Sequence, residues 1–134
     1  MKESDNWETP IWLMNMFRGY YDPCPYGGYI TNRDDLKGQW ELMDHYRGIY
    51  INPPYSNVTP WVDKAIRTHQ RYMEIGIRFP IAMLLKHDSS TKWFAKLQEA
   101  GARFLMIQGR LNFKSPNAIK GANSPFPSVL AVLS

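Results

Sequence analysis

The sequence predicts an α/β domain on a mostly parallel sheet, with antiparallel strands added at a C-terminal edge. Three observations lead there. Between residues 48 and 107 strand-like and helix-like segments alternate, the order that gives parallel strands joined by crossover helices. The stretch from Phe79 to Leu85 is an apolar run without polar alternation, suited to a strand covered on both faces. After Gly109, two short strand-like stretches flank a loop rich in Pro, Gly and Asn, which reads as a hairpin-like finish.

The elements follow in order. Thr9-Pro10 reads as an N-cap with proline at the first helical position, and Ile11, Leu13, Met14, Met16 and Phe17 supply apolar surface up to a stop at Gly19. Tyr20 to Asp22 is a short strand, and residues 31–47 are polar and irregular with a helical turn near Asp34 to Trp40. Gly48 to Ile51 is a buried strand broken at once by Asn52-Pro53-Pro54-Tyr55. Thr59-Pro60 repeats the cap-and-proline signal and opens a helix to about Glu74, with Trp61, Val62, Ala65, Ile66 and His69 tracing one face. Ser89 or Ser90 caps a helix that runs to Ala100 and stops at Gly101. Phe104 to Ile107, Leu111 to Phe113 and Val129 to Leu133 supply the remaining strands.

Composition narrows the class. The 134 residues fit a single domain over 1–134, and 44% apolar residues are enough for a core. No apolar run unbroken by proline exceeds the five residues Ile81 to Leu85, which excludes a membrane span, and the charged amino terminus lacks a secretory h-region. One cysteine, Cys24, rules out an internal disulfide, and three scattered histidines argue against a metal site. The expectation is a cytoplasmic protein without membrane or metal. Charge is lopsided: residues 1–67 hold seven basic and nine acidic groups, residues 68–134 nine and three. A one-sided basic region suits a polyanion, because bound cations release condensed counterions, although a merely solvated face has the same composition.

The segment with chemistry is Asn52-Pro53-Pro54-Tyr55, at the carboxyl end of a buried strand, where open α/β sheets bind ligands. Two prolines remove two backbone donors and stiffen the turn. The Asn52 amide oxygen and the Pro53 carbonyl offer two acceptors, and Tyr55 a flat ring. That set matches a planar amino group on a ring, and it also matches a rigid loop in which Tyr55 only packs.

With these residues the chain resembles the phage-type DNA N6-adenine methyltransferases, the Dam family. The resemblance rests on Trp7-Glu8-Thr9-Pro10, Tyr21-Asp22-Pro23-Cys24, Asp35-Leu36 with Trp40, Asn52-Pro53-Pro54-Tyr55-Ser56 followed by Trp61, Lys64 and Ala65, Leu84-Leu85 with Asp88, Trp93 and Phe94, Gly109-Arg110-Leu111-Asn112-Phe113, and Ser124-Pro125-Phe126-Pro127-Ser128, in that order. It implies a reduced Rossmann-like methyltransferase sheet, because only 29 residues separate Asp22 from Asn52, too few for the family's usual pair of strand-helix units. It implies S-adenosylmethionine as cofactor, with Trp7, Thr9 and Pro10 at its methionine end, Asp22, Pro23 and Cys24 in the turn beside it, and Asp35 (or Asp34) on its ribose or adenine. Helix N-terminal acids favoured by the dipole are the alternative account of Asp34 and Asp35.

The same resemblance implies methyl transfer to the exocyclic N6 of adenine in DNA. Asn52, Pro53, Pro54 and Tyr55 form the catalytic corner, and the target base is flipped into it. Lys86, Arg110, Lys114 and Lys120 are the candidates for gripping phosphates, with Lys64, Arg67 and Arg71 a second stripe. The alternatives are cytosine N4 as substrate, or a catalytically weak or inactive DNA-binding module. A shortened cofactor region is compatible with a homodimer completing the site.

Overall fold

The computed structural model describes residues 11–25, 35–107, 109, 112–113, 122–123 and 126–134, of which 112–113 and 122–123 are described by backbone alone. The elements are α1 (Ile11–Met16), a 3₁₀ turn (Trp40–Leu42), β1 (Ile49–Ile51), α2 (Thr59–Glu74), β2 (Ile81–Lys86), α3 (Lys92–Glu99), β3 (Arg103–Met106), β4 (Asn112–Phe113), β5 (Ala122–Asn123) and β6 (Ser128–Leu133). The main sheet has the order β1-β2-β6-β3, while β4 and β5 form a separate ladder. β1 runs parallel to β2, and β6 is antiparallel to both β2 and β3. β1, β2 and β3 therefore share one direction. A parallel bridge between Tyr21 and Ile49 adds a position outside β1.

The expected antiparallel C-terminal edge is thus corrected: β6 lies inside the sheet, between β2 and β3. The reason is burial. Val129, Leu130, Ala131 and Leu133 are at most 3% exposed, so β6 is apolar on both faces, and only an interior position covers both. The edge falls to β3, whose Arg103, Leu105 and Met106 are exposed. Residues 122–123 pair antiparallel with 112–113.

Alternation along the strands sorts the core into two faces. On one, Ile49, Ile51, Ile81, Met83, Leu85, Val129, Ala131 and Leu133 pack with Trp61, Val62, Ala65 and Tyr72 of α2, Phe94 and Leu97 of α3, and Trp40. On the other, Tyr50, Ala82, Leu84 and Leu130 pack with Leu13 of α1. Of the face expected on α2, Trp61, Val62, Ala65 and His69 are buried and Ile66 is half-buried, and Thr68 and Tyr72 join the buried set.

Two caps differ from expectation. Val58, without a side-chain hydrogen bond, precedes α2, and Thr59 is already helical with Pro60 in the first turn. Thr91, not Ser89 or Ser90, caps α3: its Oγ1 accepts from the Phe94 amide at 3.3 Å. Ser90 is taken by the stronger acceptor nearby, its amide donating to the Asp88 carboxylate at 3.1 Å, as does its hydroxyl. At Gly48, which leads into β1, a Cβ would meet the Tyr20 ring at 2.5 Å and the Pro80 carbonyl at 2.6 Å. Glycine is the residue that lets β1 lie this close to both.

Candidate active site

The carboxyl ends of β1 and β2 and the start of β6 meet at one end of the sheet, since Lys86 pairs with Ser128. Asn52 to Tyr55 leave β1 there. Pro53 and Pro54 are buried, and Asn52 and Tyr55 are half-buried. The corner closes on itself when the Asn57 amide donates to the Pro54 carbonyl at 3.0 Å, after which α2 begins. The Tyr55 ring meets the Phe126 ring edge to face, with centroids 4.6 Å apart. Phe126 belongs to the Ser124–Ser128 motif, which sequence reasoning noted without assigning it a contact.

Asp22, Pro23 and Cys24 reach the same end by backbone pairing. The Tyr21 amide donates to the Gly48 carbonyl and the Tyr50 amide to the Tyr21 carbonyl, both at 2.9 Å. The three residues beyond Tyr21 therefore continue alongside the end of β1. They fold into a turn in which the Cys24 amide donates to Asp22 Oδ1 at 3.0 Å. Cys24 is half-buried and packs against the core.

Asp35 is tied to that turn. Its amide donates to the Pro23 carbonyl at 2.8 Å, and the Tyr21 hydroxyl donates to its Oδ2. Burial first, and this carboxylate second, push the Tyr21 phenol well above its ordinary range. The Trp40 indole N–H donates to the Asp35 carbonyl at 2.8 Å. The Asp35 carboxylate lies so near Gly38 that a Cβ there would collide with it.

Lys64 corrects the expected phosphate-gripping stripe. Its ammonium donates to the Leu36 carbonyl at 2.6 Å and to the Gly38 carbonyl, and it lies 4.8 Å from the Trp40 ring centroid. Burial lowers its pKa against the opposing pull of Asp35 and Glu41. Helical spacing gave its side of α2 but could not show that the 36–38 turn lies under it. Arg71 is exposed and lies 3.5 Å from the Glu74 carboxylate.

Lys86 is exposed at the end of β2, with its ammonium 5.4 Å from the Phe126 ring centroid and 3.7 Å from the Asp88 carboxylate. Hydrogen bonds from Ser90 are the main cause holding the Asp88 carboxyl below its usual range. Trp7, Thr9, Pro10, Asp34, Arg110, Lys114 and Lys120 lie outside the described residues. Among the described residues no group of three or more His, Cys, Asp or Glu could hold a metal, and no helix is long and apolar enough to cross a membrane.

The catalytic candidates Asn52 to Tyr55 thus stand at the same sheet end as Asp22 to Cys24, with Asp35 bonded to the latter and Lys86 beside Phe126. The whole chain, residues 1–134, matches the family model "DNA N-6-adenine-methyltransferase (Dam)". The chain belongs to that family. Among curated proteins it is 30% identical over 105 residues to the DNA N-6-adenine-methyltransferase of Haemophilus phage HP1 (strain HP1c1), covering 69% of this chain and 56% of that protein. It is 27% identical over 119 residues to the DNA N-6-adenine-methyltransferase of Escherichia phage T1, covering 80% of this chain and 46% of that one. The chain therefore spans about half the length of these relatives. No solved structure matches it.

Proposed function

We propose that this chain transfers a methyl group from S-adenosylmethionine to the N6 of an adenine flipped out of DNA. The observation that carries the reading is the placement of the Asn52-Pro53-Pro54-Tyr55 corner and the Asp22–Cys24 turn at the same sheet end, which follows from the parallel Tyr21–Ile49 bridge. Family membership and the names of the two phage relatives support it. The residues suit the cofactor chemically: a ribose diol donates to a carboxylate, which Asp35 supplies, and a cationic sulfonium suits a site holding Asp22.

S-adenosylmethionine, when bound, supplies an electrophilic methyl group. The exocyclic nitrogen of adenine is a weak nucleophile because its lone pair is delocalised into the ring. Acceptance of its two N–H hydrogens by the Asn52 side chain and the Pro53 carbonyl favours a pyramidal nitrogen and stabilises the positive charge that develops on it, until one of the two protons is lost to water and the neutral product remains. Burial of the two prolines keeps that geometry from relaxing. The Tyr55 ring holds the base, an interaction worth roughly 1–3 kcal/mol per stacked base. Lys86 and the basic residues Arg110, Lys114 and Lys120 hold the phosphates while the base is extruded, a step that costs a few kcal/mol.

The test is transfer of a tritiated methyl group to unmethylated DNA followed by nucleoside analysis. N6-methyladenine is the expected product. N4-methylcytosine moves the substrate, and loss of both transfer and cofactor binding points to a non-catalytic DNA-binding module. Asn52→Ala should lower transfer by about a hundredfold or more, the rough scale for removing one preorganised hydrogen-bonding group, with the fold retained. Retained transfer by Asn52→Ala would place the chemistry elsewhere.

A further inference from the structure

We infer that Lys64 is a positioning residue for the cofactor: its ammonium clamps the 36–38 turn and so sets the place of the Asp35 carboxylate relative to the Asn52 corner. The inference rests on the function proposed above and extends it to a residue outside the contact set. Lys64 stands in the second turn of α2, the helix that starts four residues after Tyr55. The same helix thus connects to the catalytic corner at its start and to the acid-bearing turn through one side chain.

The clamp has three parts. Two carbonyl oxygens, of Leu36 and Gly38, accept from the one ammonium. The Trp40 ring carries the same charge on its face at 4.8 Å while its indole N–H holds the Asp35 carbonyl at 2.8 Å. Gly38 leaves room for the Asp35 carboxylate to lie against the turn that Lys64 grips. On the far side, Tyr21 fixes one carboxylate oxygen from the strand position that precedes Asp22. Asp35 is held from the sheet by Tyr21 and from α2, through the turn, by Lys64. Removing the ammonium strands two half-buried carbonyls, so the turn must move to rehydrate them, and the carboxylate moves with it. A surface lysine would have no such effect, since exposed charges contribute little.

The experiment compares wild type, Lys64→Met, Asp35→Asn and the double variant of the full chain. Its readouts are calorimetric binding of S-adenosylhomocysteine, steady-state methyl transfer and melting temperature. Methionine keeps an unbranched stem against Trp40 and removes the ammonium. Lys64→Met is expected to weaken S-adenosylhomocysteine binding and raise KM for the cofactor about tenfold. It should leave kcat at saturating cofactor within about twofold, and cause no further loss in the Asp35→Asn background. Should Lys64→Met not fold, Lys64→Gln, which removes the charge and carries its two N–H donors on a stem one bond shorter, is read against the same expectations. Unchanged affinity in the Lys64 variant, or losses that add fully in the double variant, overturn the inference while leaving the proposed function standing. A wild-type chain that binds no S-adenosylhomocysteine and transfers no methyl overturns both.

Discussion

Tyr21 shows how much one side chain can join. Its backbone pairs with Gly48 and Tyr50, and its hydroxyl binds Asp35, so a single residue links the sheet to the candidate cofactor acid. Its phenol titrates above the ordinary value of 10.0 in the folded chain, through burial and then through Asp35. A folded pKa raised above the unfolded one contributes stability that is fully present below the unfolded value and is lost as pH rises through the folded one. Urea unfolding between about pH 9 and pH 11 should therefore show stability falling as the pH passes 10, and Tyr21→Phe should make that fall shallower. An identical slope in the variant would mean that Tyr72, whose phenol is also raised by burial, accounts for it. At this scale the corner residues Asn52 to Tyr55 were legible, because two consecutive prolines after a strand leave few conformations. The Lys64 clamp was not, because it depends on where a turn distant in sequence comes to rest.

Among the elements, α2 and α3 bury one side each, and their ends were read with unequal success. α2 was legible to its last residue, since a 16-residue helix repeats its apolar pattern several times. The cap of α3 was not, because three hydroxyl residues stand in a row from Ser89 to Thr91 and only the Asp88 carboxylate, by capturing Ser90, decides among them. Thr91→Ala should cost about 0.5–2 kcal/mol of unfolding free energy, the usual range for losing an N-cap. Ser89→Ala should cost a few tenths at most, as expected for an exposed position. Denaturant titrations of the two variants separate these values. Equal losses would return the cap to the serines.

For the whole molecule, the informative departure is the seat of β6. An apolar run such as Val129 to Leu133 announces a buried strand, but periodicity carries no information about which neighbours it takes. That choice followed from the exposed side chains of β3, which can tolerate an edge. Removal of residues 128–134 should therefore abolish cooperative unfolding rather than trim the fold. β3 would lose the strand it pairs with in the sheet and β2 one of its two, and both cores would open at Val129, Leu130, Ala131 and Leu133. Circular dichroism melts and amide proton dispersion of the shortened chain provide the check. A sharp melt would show that β6 is dispensable. The same arrangement governs birth on the ribosome: β2 and β3 emerge well before the strand that must slide between them. The nascent chain cannot zip its sheet from one end to the other, and its two halves must wait, unjoined, for the wedge synthesised after them.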